Sequence, residues 1–316
     1  MATTLPRVSI IVPMRNAEAF VEATLKSILL EASVTLEVLV INDRSTDSSL
    51  ECVLTVGDSR VRVIEGLGAG ISAAMNLGLA ASCGDVVMRC DADDLYPVGR
   101  IRDQVAWLDA NQDYVAVCGG FATLDGSGRP VAVLATGETA EDITEELNAG
   151  QTRTSFCTYA VRRNSIEKIG GFRSYFETAE DIDFQLRLAN YARVMYLPQT
   201  TYLYRLHADS ITHTQSSAKR VFFESTAREF QRQRTLDGQD DLMRGSPPEV
   251  PAVSNAEPGS AVKQVGGMLL GSAWRAHQRG NKWAAIVLGF RALMHMPLQL
   301  AVWRSVAALI AKPAKR

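Results

Sequence analysis

Two apolar runs near the amino terminus constrain this chain most. Residues 8–12 read VSIIV and residues 36–43 read LEVLVIND, β-branched and apolar with almost no alternation. A strand with one wet face alternates polar and apolar residues, so runs of this kind are expected where both faces are covered. Helices on both sides of a parallel sheet provide that cover. The runs VRVIEG (61–66) and DVVMRC (85–90) read as a third and fourth strand. Between the strands the spacing turns helical. Asn16 can cap a helix with Glu18 in its first turn and Phe20, Val21, Thr24, Leu25, Ile28 and Leu29 at helical spacing, and ISAAMNLGLAAS (71–82) fits a helix of small residues. Alternating strands and helices predict right-handed crossovers, with ligands gathered at the carboxyl ends of the strands. Three polar loops meet there, beginning at Pro13, Asn42 and Asp91.

Beyond residue 110 the alternation loosens into a mixed second half: YVAVCGGFATLD, a turn at GSGRP, a returning VAVLA, a helix from about Thr178 to Asn190, then strand-like VMYLPQTTYLYRLH and helical SAKRVFFESTAREFQRQR. Residues 236–260 hold four prolines and three glycines without a period, which reads as a linker. The expected organisation is 1–110 and 111–235 as two halves of one domain, 236–260 as linker and 261–316 as a basic helical tail.

A formal net charge of -2 hides an asymmetry. Residues 1–260 hold 24 basic against 35 acidic residues, a net of -11, whereas the last 56 residues hold nine Lys or Arg, no acid and three of the four tryptophans. The five cysteines are scattered without a C-x-x-C pair, which favours a reducing compartment and ordinary thiols over bridges or a zinc site. The amino-terminal run VSIIVP lacks the pattern of a signal peptide, so a cytoplasmic location is expected.

The fourth strand runs into CDADD, three aspartates within residues 91–94. Clustered carboxylates repel one another unless solvated or matched by a cation. One reading is an exposed turn capping the next helix. The other sets Asp91 and Asp93 against Mg²⁺ or Mn²⁺, hard ions commonly held by one or two carboxylates plus substrate phosphates.

Six elements in order, VSIIVPMRNAEAFVEATLKSIL, EVLVINDRSTDSS, GISAAMNLGLA, RCDADD, AEDIDFQLRL and YRLHADSIT, closely resemble family 2 glycosyltransferases over residues 7–210. The resemblance implies the GT-A fold, a Rossmann-like and mostly parallel α/β sheet flanked by helices, here with a C-terminal helical appendage. It also implies inverting transfer of a sugar from a nucleotide-diphosphate donor, a UDP-sugar, to an acceptor hydroxyl, with Mn²⁺ or Mg²⁺ as cofactor. In the roles carried over, the loop at Pro13 and Asn16 lines the nucleotide pocket, Asp43 meets the uracil ring, Asn76 and Arg89 stand beside the nucleotide sugar, Asp91 faces the ribose and Asp93 holds the metal. The Glu180–Asp181 pair matches the acceptor-side motif, with Asp181 as general base. His207 matches a histidine that completes the metal shell in some relatives. Met75 departs from the family, which often has a basic residue there.

Each role has a plainer counterpart. Asp43 suits an N-cap, Arg89 can pair with Asp91 or Asp94, Asp94 can support its neighbours or cap the next helix, and Asp183 with Arg187 makes an ordinary i,i+4 pair. The sequence QRQR at 231–234 lacks the tryptophan of the processive synthases, which favours single addition. A sugar-nucleotide nucleotidyltransferase would need a glycine-rich loop where this chain has VPMRNAEAF; a silent nucleotide-sugar-binding module is the other alternative.

In the tail, Trp283, Ile286, Val287, Phe290, Leu293 and Met294 share a helical face, and breaks at Arg291, His295, Pro297, Gln299 and Arg304 exclude a membrane span. Two readings stand: a helix or helix pair on an anionic membrane surface, or a hairpin packed on the core. The first would place the protein peripherally on the inner face of the membrane, near a saccharide or lipid-linked saccharide acceptor. Nucleic-acid binding is a poorer account, since no recognition module is present.

Overall fold

The computed structural model describes residues 6–134, 139–207, 217–251, 261–278 and 280–313. They divide into two compact units. Unit one comprises residues 6–121, 139–203 and 219–251; unit two comprises 122–134, 204–207, 217–218, 261–278 and 280–313.

Unit one opens with four parallel strands, β1 (Val8–Met14), β2 (Leu36–Asn42), β3 (Val61–Glu65) and β4 (Val86–Arg89), in the spatial order 3-2-1-4. All seven residues of β2 and all but Pro13 in β1 are buried, as the unbroken apolar runs require. Strand β1 continues one residue past Pro13, whose missing N–H falls close to the strand's end. The crossovers hold α1 (Val21–Leu29), α2 (Ser49–Val56) and α3 (Ile71–Ala81). Small residues on α3 have a steric reason, because a Cβ on Gly78 would lie 2.5 Å from Ile11 on β1. Asn16 does not cap α1, which starts after Phe20. Its backbone is left-handed (φ 52°), and its side-chain oxygen instead accepts from the Thr46 N–H at 2.8 Å, tying the β1 and β2 loops together.

The second half of the sheet is mixed. After α4 (Arg100–Ala110) come β5 (Tyr114–Leu124), β6 (Pro130–Leu134), β7 (Glu141–Asp142), α5 (Thr144–Asn148), β8 (Ala160–Arg162), α6 (Arg163–Ile169), α7 (Glu180–Tyr191) and β9 (Arg193–Arg205). The full order is 3-2-1-4-8-5-9-7, with β8 antiparallel to both β4 and β5 and with β6 paired to β5 off the main path. One apolar cluster joins the halves, bringing Ile11, Leu39 and Val87 together with Phe156, Tyr159 and Phe184. Such burial is worth roughly 1.5–3 kcal/mol per large side chain.

Helix α8 (Ser217–Asp237) is followed by the stretch expected as a linker, and there the structure differs. Asp240 is fully buried and accepts from Arg173 at 2.7 Å, from Arg234 at 2.5 Å and from the Met243 N–H at 2.9 Å. Tyr175 donates to the Pro248 carbonyl at 2.8 Å. Proline and glycine signal irregular backbone, not absence of packing, and a buried carboxylate matched by two guanidiniums anchors this segment. Residues 252–260 lie outside the described residues.

Unit two joins the end of β5, strand β6 and three helices, α9 (Ala261–Gln278), α10 (Lys282–His295) and α11 (Leu300–Ala311). Its interior contains Val131, Ala132, Leu206, Leu269, Ala292, Leu293, Val302 and Val306. Among the described residues no helix is long and apolar enough to cross a membrane.

Candidate active site

The loops at the carboxyl ends of β2 and β4 build the site with the start of α7. Asp43, just past β2, is buried, and its two oxygens accept from the N–H groups of Gly68 at 2.7 Å and Gly70 at 3.2 Å. It does not cap α2, whose N-cap is Ser48. It shapes the β3–α3 loop instead, and a Cβ on Gly66 would come within 2.7 Å of its carboxylate.

Arg89 ends β4 and organises the acidic residues around it. Its Nε and Nη2 donate to the two oxygens of Asp91 at 2.6 and 3.2 Å, and its Nη1 donates to Glu180 Oε1 at 2.9 Å. The guanidinium is buried, so this fork replaces the hydration it has lost. Burial by itself would weaken its proton affinity, but the carboxylates of Asp91 and Glu180 outweigh that and keep it charged. Two motifs far apart in sequence thereby meet at one side chain.

The three aspartates take different places. Asp94 is fully buried and accepts from the Tyr202 hydroxyl at 2.7 Å, while that hydroxyl accepts from the Asp91 N–H at 3.0 Å. Capping is excluded for Asp94, since α4 begins at Arg100 after Gly99. Asp91 is the partner of Arg89, with the Cys157 thiol 3.5 Å from its second oxygen. Burial, followed by the neighbouring Asp91, pushes that thiol's pKa well up, so it stays protonated. Asp93 is half-buried.

At the start of α7, Ala179 adopts a left-handed backbone (φ 59°), an unfavourable conformation for alanine that turns the chain into Glu180 and Asp181. The helix dipole favours acids there, yet Glu180 is buried, and burial dominates its chemistry. Desolvation raises Glu180 to about 7, with Arg89 opposing and Asp181 adding to the rise. Asp181 is also raised, again by burial first, against the pull of Arg89 and of the Ile182 and Phe156 N–H groups. A carboxylate with raised proton affinity is suited to accept a proton near neutral pH.

Asp181 lines a cavity of about 370 Å³, as do Ile182 and Gln185 of the same helix, Thr152–Ser155, Phe121 and Arg220. Gln185, one turn beyond Asp181, is buried, and its side-chain amide has no hydrogen-bond partner among the described residues. Arg153 is matched by Glu141 at 2.8 Å and by Glu146, and Arg220 by Glu224 at 3.1 Å. The cationic groups on this wall are therefore already paired.

The other sequence-derived residues are spread more widely. Pro13 sits in β1 opposite Ile41, and Asn16 holds the 45–46 loop. Asn76 is engaged on both ends of its amide with the main chain of Phe172, at 2.7 and 2.9 Å, fastening α3 to the turn before α7. His207 lies in unit two, past the end of β9. Among the described residues no group of three or more His, Cys, Asp or Glu is placed to hold a metal ion unaided. A magnesium or manganese ion on a diphosphate needs only one or two carboxylates, and the hard-oxygen set at 91–94 fits that demand. Sequence reasoning missed Gln185, Tyr202 and Cys157; only the i,i+4 spacing of Gln185 from Asp181 offered a signal.

The model of the Glycosyl transferase family 2 matches residues 9–174. The chain belongs to glycosyltransferase family 2. The match takes in Asp43, Asn76 and Arg89–Asp94, while Glu180 and Asp181 follow it. EpsJ of Bacillus subtilis, described as an uncharacterized glycosyltransferase, is 31% identical over 220 residues, 66% of this chain and 63% of that protein. The chondroitin synthase of Pasteurella multocida is 25% identical over 209 residues, 65% of this chain but 21% of that much longer protein. The chain thus spans less than two thirds of either relative. Among solved structures, S. aureus TarS in complex with UDP-GlcNAc superposes with a TM-score of 0.56 at 16% identity, over 98% of this chain and 93% of that one. At that identity the likeness is one of fold, and the fold is GT-A.

Proposed function

We propose that this family 2 glycosyltransferase moves a sugar, with inversion, from a UDP-sugar to a hydroxyl of a saccharide or lipid-linked saccharide, in polysaccharide or glycolipid assembly. The observation behind this reading is the Arg89 bridge, which unites the Asp91 motif and the Glu180–Asp181 pair in one buried cluster, with Asp181 facing a cavity. Its volume lies within the usual range of ligand sites, roughly 300–1,000 Å³. The UDP-GlcNAc and UDP complexes of TarS support the choice of donor, and the chondroitin and hyaluronan synthases among the relatives support a saccharide acceptor.

In this mechanism Asp93 would hold Mg²⁺ or Mn²⁺, which supplies Lewis-acid neutralisation of the departing diphosphate. Asp43 and Asp91 orient the nucleoside. Arg89 holds the Asp91 carboxylate in place, and stays charged itself. An acceptor hydroxyl in the cavity loses its proton to Asp181 as its oxygen attacks the anomeric carbon from the face opposite the diphosphate. One displacement with one base inverts the centre.

The test is UDP release from a panel of UDP-sugars with Mn²⁺ or Mg²⁺, with and without saccharide acceptors. Turnover that disappears in Asp93→Ala and Asp181→Asn supports the reading. Binding of UDP without turnover would identify a silent nucleotide-sugar-binding module, and neither binding nor turnover would end the proposal.

A further inference from the structure

The helical face singled out in the tail is split by the fold. Leu293 turns inward to the unit-two core, whereas Trp283, Val287, Phe290 and Met294 remain exposed, at 76%, 43%, 49% and 73%. These four recur at i, i+4, i+7 and i+11, one continuous stripe along α10. At the turn that follows, Leu298 and Leu300 are also exposed, at 95% and 73%. Trp303 lies beside them, half-exposed, its indole N–H donating to the Pro297 carbonyl at 2.8 Å. An exposed apolar surface of this extent marks an interaction site on a soluble domain.

Charge indicates what covers it. The last 56 residues hold nine Lys or Arg and no acid, and Arg304 is exposed next to Trp303. Arg291 pairs with Asp125 at 3.7 Å; the net positive charge that remains on the tail, the interfacial tryptophans and the apolar stripe suit the headgroup boundary of an anionic bilayer. We propose that α10, the 296–299 turn and the start of α11 form a docking surface for anionic lipid, on which these helices lie in the headgroup plane. This proposal goes beyond the catalytic reading and needs no turnover to be tested.

The experiment is flotation of the full chain with vesicles of 30% phosphatidylglycerol in phosphatidylcholine, compared with phosphatidylcholine alone, at low and high salt. The expected result is capture by the anionic vesicles that falls with salt, with a blue shift of tryptophan emission. Trp283→Glu combined with Phe290→Glu should reduce capture at least about tenfold, since each aromatic supplies roughly that factor. Val221→Glu, which removes an exposed apolar residue from unit one, should leave capture intact. Three results would overturn the proposal: no capture of the unaltered protein, equal capture of the double variant with its thermal melt unchanged, or equal loss in Val221→Glu. A dimer in gel filtration that dissolves in the double variant, without vesicle capture, would assign the stripe to a second copy and likewise overturn it.

Discussion

Unit one buries charge, and unit two exposes apolar surface. In the first, Arg89 is enclosed with Asp91 and Glu180, and a second network joins Arg173, Arg187 and Arg234 to Asp183 and Asp240, both aspartates fully buried. The sequence suggested an ordinary i,i+4 pair for Asp183 and Arg187, and the structure makes that pair one edge of a buried network. In the second, Trp283, Phe290 and Met294 face outward from a segment without a single acid. Each pattern departs from the ordinary economy of a soluble protein in its own direction. Buried ion pairs are seldom a source of net stability, so the first pattern is better understood as positioning. Exposed aromatics gain nothing for a free domain, so the second is better understood as contact.

Substitutions can break this contrast, beginning with the largest effect. Asp181→Asn should lower transfer by about 10²–10⁴-fold while leaving UDP binding in place, the range for loss of a general base; steady-state kinetics with a UDP-binding control would check it. Asp240→Asn leaves Arg173 and Arg234 short of a buried partner and should destabilise unit one by roughly 3–5 kcal/mol, seen in urea unfolding. In unit two, Leu293→Ala should cost about 2–5 kcal/mol by opening a cavity. Its neighbour Met294→Ala should stay within about 0.5 kcal/mol, as for an ordinary surface position. Equal losses at 293 and 294 would mean the stripe is packed after all.

A further effect is one of pH. Burial raises Glu180 from 4.5 to about 7, so the folded chain keeps a proton that the unfolded chain has released. Its contribution to stability is greatest at or below pH 4.5 and is lost as the pH rises towards 7. Glu180→Gln should flatten that decline, measurable as denaturation midpoints across the interval. A wild-type profile that rises through the same window would contradict the burial of Glu180.

Much of this was legible in the sequence because it depends on local pattern. The runs at 8–12 and 36–43 are too uniformly apolar for a one-sided sheet, and the six motifs fix the family through their order. Asp43, Asp91 and Asp181 were found as candidates on that basis. The pairing of Arg89 with Asp91 was also foreseen, but its second partner was not, because Arg89 to Glu180 spans 91 positions, and no periodicity links a strand end to a helix start so far away. Asp94 illustrates the limit. Its letter matches its neighbours, yet its carboxylate is fully buried and accepts from the Tyr202 hydroxyl.

By itself the sequence determined the alternating fold, the family, the acidic motifs and the sign of the tail's charge, all of which follow from residue type and spacing along the chain. Only the tertiary structure decided which aspartate is buried, that 238–248 is packed instead of linking, that Gln185 stands on the cavity wall, and which half of the tail's apolar residues face out. Each of those depends on what lies across from a side chain, and the chain supplies that neighbour only once it has folded.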